Sequence, residues 1–218
     1  MYSMRFRFAK WACDRLTKDA DFAKNIMFSD ETHFDLGGYR KPARILSKAD
    51  TPKTSHCLVR ILVQRHNWAI FFENEQVTVN GDRYRTTLNE FLFTKLEEKD
   101  IGNIWFQQDD ATCHTAEATL NVLRPVFKDR IISRRADVVW PPRSCHLTPL
   151  DYYLWSALKD KRYADKPETI DALKNNIHEA IGEIQLHTID IVLKNWTDRL
   201  GCCMASRGSH LNEIIFHY

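Results

Sequence analysis

The chain has 218 residues, enough for one large domain or two small ones with a hydrophobic core. Hydrophobic residues make up 44% and charged residues 28% of the sequence, and the formal net charge is only +2, so the composition excludes a disordered chain and specifies no partner. No stretch approaches the roughly 20 apolar residues of a membrane-spanning helix, and the N-terminus lacks a secretory signal. Six cysteines without CxxC spacing favour reduced thiols, which predicts an intracellular protein.

The first half of the chain predicts one helix, then strands, then a second helix. Apolar residues at helical spacing between residues 6 and 22 predict the N-terminal helix, and the spacing of Leu88, Leu92 and Leu96 predicts an amphipathic helix over about 82–99. Short runs of β-branched and aromatic residues predict the strands between them. These strands cover residues 25–30, which end on Asp30, then 57–63, 68–72, and 77–79 with an Asn80-Gly81 turn.

The second half of the chain predicts strands alternating with helices and then a helical tail. Strands are predicted over 104–109, which ends in Asp109, and over 137–140. Helices are predicted over 115–127, 150–160 with Asp151 in the first turn, 167–184 with Asp165 as cap and Pro167 in the first turn, and 188–200 ended by Gly201. This order of elements predicts an α/β fold with a sheet covered by helices.

Three aspartates in this pattern form a candidate metal site. Asp30 and Asp109 end predicted strands, where ligands of such sheets usually lie, and Asp151 begins a helix. Three carboxylates brought together could hold two Mg²⁺ or Mn²⁺ ions for an in-line displacement at phosphorus, the chemistry that cuts and joins nucleic acid strands. The spacing alone also allows these residues to be ordinary turn formers, helix caps or dipole partners.

Basic residues are concentrated in two segments despite the balanced net charge. Residues 37–72 contain seven basic residues and one acidic residue, and residues 124–143 contain six basic and two acidic residues. Such segments indicate a polyanionic partner or simply solvated loops, and charge alone does not separate the two readings.

Three sequence motifs carry a family resemblance that covers nearly the whole chain. Residues 28–34 (FSDETHF), 105–116 (WFQQDDATCHTA) and 140–155 (WPPRSCHLTPLDYYLW) closely resemble the three catalytic motifs of the mariner-like superfamily of cut-and-paste DNA transposases. The segment 206–217 is similar to that superfamily as well. The order, spacing and flanking residues of three motifs are together far more specific than any one of them.

The resemblance implies an RNase H-like fold, with a mixed central sheet flanked by helices and a helical C-terminal tail. It implies a DDD triad of Asp30, Asp109 and Asp151, with 41 residues between the last two, two bound Mg²⁺ or Mn²⁺ ions and no small-molecule cofactor. Asp110 is the alternative to Asp109 as second acid, and Glu31 is expected beside the site or at the surface.

The substrate that the resemblance implies is DNA, at transposon ends and at a target, and the implied location is the nucleus. The reactions would be metal-dependent strand cleavage and strand transfer, and a homodimer is compatible with them. The residues expected to contact nucleic acid are Arg40, Lys41, Arg44, Arg134, Arg135 and Arg143.

The domain organisation expected from the resemblance is a leading helix over 1–24 and a catalytic domain over 25–218. The helix would be the remnant of a linker to a missing N-terminal DNA-binding domain. Residues 46–72 diverge from the glycine-punctuated pattern of the family, since no glycine lies between Gly38 and Gly81. This divergence, together with His146 and Asp110 at positions where the family usually has other residues, favours the alternative function: a catalytically inactive transposon-derived remnant that at most binds nucleic acid.

Two Cys-His pairs, Cys113-His114 and Cys145-His146, offer thiolate and imidazole ligands for zinc. We do not favour a zinc site, because His114 and Cys145 fit the transposase motifs independently and neighbouring residues rarely both face one ion. A Ser-His-Asp or Cys-His hydrolase is also not indicated, since the sequence has no Gly-x-Ser-x-Gly elbow.

Overall fold

The structure is a computed structural model that describes residues 3–35, 54–62, 66–72, 80–97, 101–164 and 167–209. Six strands form one mixed sheet in the order β3-β2-β1-β4-β5-β6. Strand β1 pairs antiparallel with β2 and parallel with β4, and β4, β5 and β6 are parallel neighbours. The strands are β1 Ile26–Asp35, β2 Thr54–Leu62, β3 His66–Phe72, β4 Trp105–Gln107, β5 Ile131–Ser133 and β6 Val138–Val139.

Helices account for most of the remaining described chain. They are α1 Met4–Lys18, α2 Gly81–Thr87, α3 Thr94–Glu97, α4 Thr112–Thr115, α5 Glu117–Phe127, α6 Trp155–Ala164, α7 Ile170–Gly182 and α8 Leu186–Ala205. Two wider, π-helical segments join this list, Leu88–Phe93 between α2 and α3 and Leu150–Leu154 ahead of α6. Among the described residues, none of the helices combines the length and apolar character needed to cross a membrane.

Helices cover both faces of the sheet because each face has its own hydrophobic core. On one face, α1, α6, α7 and α8 pack around Phe28, Trp105 and Ile132 of the strands. On the other face, α2 and α5 pack around Met27, Phe106 and Ile131, the neighbours of those residues. The alternation of side chains along β1, β4 and β5 therefore buries both faces of these strands, and the predicted α/β fold is confirmed.

Asp30 lies in the middle of β1 and not at a strand end, so that part of the prediction was wrong. The parallel pairing of β1 with β4 stops at Phe28 and Gln107, but the antiparallel pairing with β2 continues from Asp30 opposite Val59 as far as Asp35 opposite Thr54. Asp30 therefore lies just beyond the last parallel pair of β1 with β4.

Several predicted boundaries were wrong because local signals allowed more than one structure. Asn80 does not form a hairpin turn: its side chain accepts a hydrogen bond from the Arg83 N–H and caps α2. The cap of α7 is Thr169, so the predicted cap was wrong, and Pro167 precedes the helix; Asp165 lies outside the described residues. Gly201 lies inside α8 and does not end it.

One strand, β5, was missed and one divergent segment forms strands as predicted. The run Ile131–Ser133 is too short to give a period, but it is buried between β4 and β6. Within 46–72, the predicted strands are confirmed as β2 and β3, so the loss of the family's glycine pattern does not prevent sheet formation there. The rest of 46–72 lies outside the described residues. The same is true of the predicted strand 77–79 and of three predicted DNA-contacting residues: Arg40, Lys41 and Arg44.

Candidate active site

Asp30 is a buried carboxyl group held by two hydrogen bonds. The residue is only 8% exposed. The indole Nε1 of Trp155 donates to Oδ2 at 2.8 Å, and the Glu31 N–H donates to Oδ1 at 2.9 Å. Burial, and next the negative charge of Asp151, raise the pKa of Asp30 to about 8. The hydrogen bond from Trp155 opposes this rise and does not cancel it.

Asp109 follows β4 by two residues and is held in a different way. The Ala111 N–H lies 2.9 Å from Oδ1, and Nδ1 of His114 lies 2.5 Å from the same oxygen. Burial by itself would raise the pKa of Asp109, but the hydrogen bond with His114, the charge of His114 and the Ala111 N–H together lower it below its ordinary value.

Asp151 lies in the first turn of the π-helical segment Leu150–Leu154, as predicted. Its backbone N–H donates to the Thr148 carbonyl oxygen at 3.1 Å, which fixes the start of the helix. The residue is solvent-accessible, yet enough protein surrounds the carboxyl group that burial raises its pKa to about 6. A hydrogen bond with Asp30 opposes this rise, and the negative charge of Asp109 adds to it.

The structure thus brings Asp30, Asp109 and Asp151 into one electrostatically coupled group. The negative charges of Asp151 and Asp109 both raise the pKa of Asp30. The charge of Asp109 also raises the pKa of Asp151, which hydrogen bonds with Asp30. The pKa values of Asp30 and Asp151 are raised because the site has too little positive charge near these carboxylates. A hard divalent cation, which prefers oxygen ligands, would supply that charge. In the described part of the chain, no group of three His, Cys, Asp or Glu side chains is arranged closely enough to hold a metal ion.

Asp110, the alternative second acid, is half-buried beside Asp109. The hydrogen bonds from the Ala111 N–H and from His114 go to Asp109. The electrostatic coupling to Asp30 and Asp151 also comes from Asp109. The geometry therefore favours Asp109 as the acid that shares the site.

A buried polar network lies behind Asp109, and sequence reasoning missed most of it. His114 is fully buried between Asp109 and Glu31, whose Oε1 lies 2.8 Å from Nε2. Burial would lower the pKa of His114, but its neighbours Tyr84, Glu31 and Asp109 raise it well above the ordinary value. Glu31 is thereby placed beside the site and not at the surface.

Gln108 ties this network to the sheet and to α2. The Tyr84 hydroxyl donates to Gln108 Oε1 at 2.9 Å. The Gln108 amide nitrogen donates to the His114 carbonyl oxygen at 2.8 Å and to Ser133 Oγ at 3.1 Å. The second motif contains Gln108 and His114, and polar residues that are buried require hydrogen-bond partners. The sequence does not show that Tyr84 and Ser133 are those partners.

The loop that leads to Asp151 is braced by α8. The Trp196 indole donates to the Leu147 carbonyl oxygen at 2.9 Å, and Arg199 Nη1 donates to the His146 carbonyl oxygen at 3.2 Å. The Arg199 guanidinium also lies 4.1 Å from the centre of the Tyr152 ring, next to Asp151 in sequence. Residue 146, where the family usually has an acid, therefore contributes its backbone to this brace.

Three of the predicted DNA-contacting residues are described, and all three are exposed: Arg134, Arg135 and Arg143. Arg134 and Arg135 directly follow β5, whose last residue Ser133 contacts Gln108. They therefore lie at the same edge of the sheet as Asp109. Arg143 lies in the loop before Asp151, and its carbonyl oxygen accepts a hydrogen bond from Arg5 at 3.1 Å.

The disfavoured zinc reading receives no support from the described residues. Both ring nitrogens of His114 face carboxylate oxygens, and Cys145 is exposed. His114 therefore belongs to the carboxylate network.

A mixed sheet with helices on both faces and aspartates just beyond its parallel strand pairs is the architecture of an RNase H-like fold. The chain is 26% identical over 221 residues to the transposable element Tc3 transposase of Caenorhabditis elegans, and this match covers 92% of the chain and 64% of the relative. The chain thus spans less than two thirds of that relative's length. No protein-family model matches the chain.

Among solved structures, the chain is similar to the catalytic domain of the Mos1 mariner transposase. The crystal structure of that domain superposes with a TM-score of 0.76 at 18% identity, covering 95% of this chain and 94% of that one. A structure of the same domain with Raltegravir and Mn gives a TM-score of 0.76 at 18% identity and covers 96% of each chain. The Mos1 paired-end complex with the left transposon end gives 0.77 at 17% identity, covering 96% of this chain and 63% of that one.

These similarities confirm the resemblance predicted from the three motifs: the chain is similar to Tc3 transposase in sequence and to the Mos1 transposase catalytic domain in fold. The structural likeness also confirms the RNase H-like fold.

Proposed function

We propose that this domain cleaves and joins DNA strands at transposon ends, using two divalent ions held by Asp30, Asp109 and Asp151. The observation that carries the proposal is the electrostatic coupling of three carboxyl groups that come from a strand, a strand end and a helix start. Such undercompensated charge is expected where a protein is built to receive a cation.

The ions, when bound, would activate the attacking oxygen and stabilise the leaving oxygen. The chain's own contribution is to hold the ligands in place. Trp155 orients the Asp30 carboxyl group, Ala111 and His114 orient that of Asp109, and the Thr148 carbonyl oxygen fixes the turn that carries Asp151. Mos1 catalytic-domain structures with Mn and with Mg support the choice of ions.

DNA is the proposed substrate because basic side chains stand at the same edge of the sheet as the carboxylates. Arg134 and Arg135 are exposed there, and positive charge is what holds a phosphate backbone. The Mos1 complex with the left transposon end supports this choice. A nuclear location, a homodimer and a catalytic part over 25–218 belong to the same proposal.

The test is nicking of supercoiled plasmid DNA by the purified chain with Mg²⁺ or Mn²⁺. We expect nicking that disappears with EDTA and falls at least about a hundredfold in Asp30→Asn, Asp109→Asn and Asp151→Asn. Asp129→Asn, which changes an exposed aspartate, is the matched control and should nick normally. Absence of nicking by the folded, unsubstituted chain would favour the alternative, an inactive remnant that only binds nucleic acid, and DNA binding measured in parallel would identify it.

A further inference from the structure

We propose that His114 and Glu31 act together as positioning residues for Asp109, holding one carboxylate oxygen so that the other is presented to a cation. The inference rests on the proposed function, because it assigns a task to residues behind the same site. It extends that function to two side chains that are not themselves members of the aspartate triad.

The geometry that carries the inference is an imidazole that contacts one carboxylate through each of its two nitrogens. Nδ1 of His114 lies 2.5 Å from Asp109 Oδ1, and Nε2 lies 2.8 Å from Glu31 Oε1. The His114 side chain is 0% exposed, while that of Asp109 is 36% exposed. The imidazole is therefore inside the protein and the aspartate is at the site.

Both hydrogen bonds to Asp109 end on the same oxygen. The Ala111 N–H and His114 Nδ1 each contact Oδ1, and within the described ranges no hydrogen bond engages Oδ2. Two donors on Oδ1 restrict rotation of the carboxylate about its Cβ–Cγ bond, which limits the directions that Oδ2 can take. Groups that orient metal ligands in this way commonly change metal affinity by about 10–100-fold when they are removed.

Glu31 gives the buried imidazole a second contact, at Nε2, which supports the ring orientation that points Nδ1 at Asp109. Glu31 is the residue after Asp30 on β1, so its contact with His114 links the strand that carries the first aspartate to the helix beside the second. The Tyr84 ring, 4.3 Å from the imidazole centre, packs against it and limits its tilt. Asp30 and Asp109 are thereby held in a fixed relation through side chains behind the site.

The test separates the two nitrogens of His114 by substitution. In Asn, the amide nitrogen is attached to Cγ, as Nδ1 is in His, so His114→Asn retains a donor for Asp109 and loses the reach to Glu31. In Gln, the amide nitrogen lies one atom further along, as Nε2 does, so His114→Gln retains a donor for Glu31 and loses the contact with Asp109. His114→Ala removes both contacts, and His187→Asn, at an exposed histidine on α8, is the matched control.

The readout is Tb³⁺ binding to the full chain without DNA, followed by luminescence sensitised through Trp155, whose indole contacts Asp30. Tb³⁺ is a hard cation that prefers oxygen ligands, and Mg²⁺ competition checks that it occupies the same site. Asp30→Asn should abolish the signal. Circular dichroism and thermal unfolding of each variant report folding separately from binding.

We expect His114→Ala and His114→Gln to weaken Tb³⁺ binding by about tenfold or more. His114→Asn should restore binding to within about threefold of the unsubstituted chain, and His187→Asn should leave it unchanged. Equal losses in His114→Asn and His114→Gln, or unaltered binding in His114→Ala, would overturn the positioning role while the proposed metal site stands. No Asp30-dependent binding by the unsubstituted chain would instead overturn the metal site itself, and the positioning role with it.

Discussion

The indole Nε1 of Trp155 donates a 2.8 Å hydrogen bond to Oδ2 of Asp30, a residue 125 positions earlier in the sequence. Trp155 is the first residue of α6, which follows directly on the segment that carries Asp151. One hydrogen bond therefore joins the first aspartate on β1 to the helix of the third. The distance between these two aspartates depends on this contact.

The first prediction concerns that hydrogen bond. Trp155→Phe keeps an aromatic ring against Phe34 but removes the donor to Oδ2 of Asp30, while Oδ1 keeps the hydrogen bond from the Glu31 N–H. We expect a loss of about 1–3 kcal/mol in the free energy of unfolding, because an unsatisfied buried polar group costs that much. We also expect weaker Tb³⁺ or Mn²⁺ binding, because the Asp30 carboxyl group is no longer oriented by the indole. Chemical denaturation and Mn²⁺ titration by electron paramagnetic resonance measure the two effects.

Trp105→Phe is the control, since it truncates a buried indole of the same core away from the carboxylates. It should lower stability without changing ion affinity. If both variants bind Mn²⁺ equally well, the hydrogen bond from Trp155 has no role in shaping the site.

The second prediction concerns pH. The pKa of Asp30 is raised to about 8 in the folded chain, so the unfolded chain loses this proton first as the pH rises. Without metal ions, the stability associated with this group is fully present below the ordinary aspartate pKa and is lost as the pH rises toward about 8. Asp151, whose pKa is raised as well, acts in the same direction.

Asp30→Asn removes the buried charge and should stabilise the metal-free chain at pH 8 by more than about 1.4 kcal/mol, the equivalent of one pKa unit. It should also flatten the fall in stability between pH 5 and pH 8, measured by urea denaturation in EDTA. Asp190→Asn, at an exposed residue of α8, should do neither. A fall of the same steepness in Asp30→Asn and the unsubstituted chain would show that Asp30 does not carry the pH dependence.

The third prediction concerns the brace between α8 and the loop before Asp151. Arg199 is 6% exposed, donates to the His146 carbonyl oxygen and stacks on Tyr152. Arg199→Met keeps most of the apolar volume and removes these polar contacts. We expect a loss of about 1–3 kcal/mol in the free energy of unfolding, from the unsatisfied carbonyl oxygen, and slower nicking at saturating metal.

Lys194→Met is the matched control on the same helix, because Lys194 forms an exposed ion pair with Asp198. Its effect on stability should stay below about 1 kcal/mol, and nicking should be unchanged. Nicking by Arg199→Met at the unsubstituted rate would show that α8 supports the fold without positioning the third aspartate.

Much of the fold could be predicted because strong periodic signals and hydrophobic patterns determine it. Apolar residues at helical spacing predict the helices α2, α5 and α7, and these apolar residues form the buried faces of the helices. The strand β5 could not be predicted, because three residues give no period and only the neighbouring strands make Ile131–Ser133 a strand.

The candidate site shows the same division between what is local and what is long-range. The three aspartates stand out because each lies in a motif, and the supporting residues Tyr84 and Ser133 lie outside the motifs. Tyr84, Trp155 and Ser133 reach the site from α2, α6 and β5, and only the packing of those elements brings them there. For the same reason, the sequence suggested a strand end for Asp30, since the length of β1 depends on its pairing with β2.

The last prediction concerns DNA. Arg134 and Arg135 are exposed beyond the end of β5, at the edge where the carboxylates meet. If they contact phosphates, Arg134→Gln/Arg135→Gln should weaken DNA binding across sequences and reduce the slope of log affinity against log salt by roughly two, about 0.9 for each lost contact. Fluorescence anisotropy with a duplex at several salt concentrations measures that slope.

The matched control is Lys18→Gln/Lys24→Gln, which removes two exposed charges that precede β1 and so lie at the opposite edge of the sheet. It lowers the net charge equally, so a general electrostatic effect would reduce DNA affinity in both double variants. A local contact reduces the salt slope only in the arginine variant, because counterions are released where phosphates are neutralised. Identical slopes in the two variants would place the DNA elsewhere on the surface, whereas a selective change would align the DNA backbone with the edge that holds Asp109.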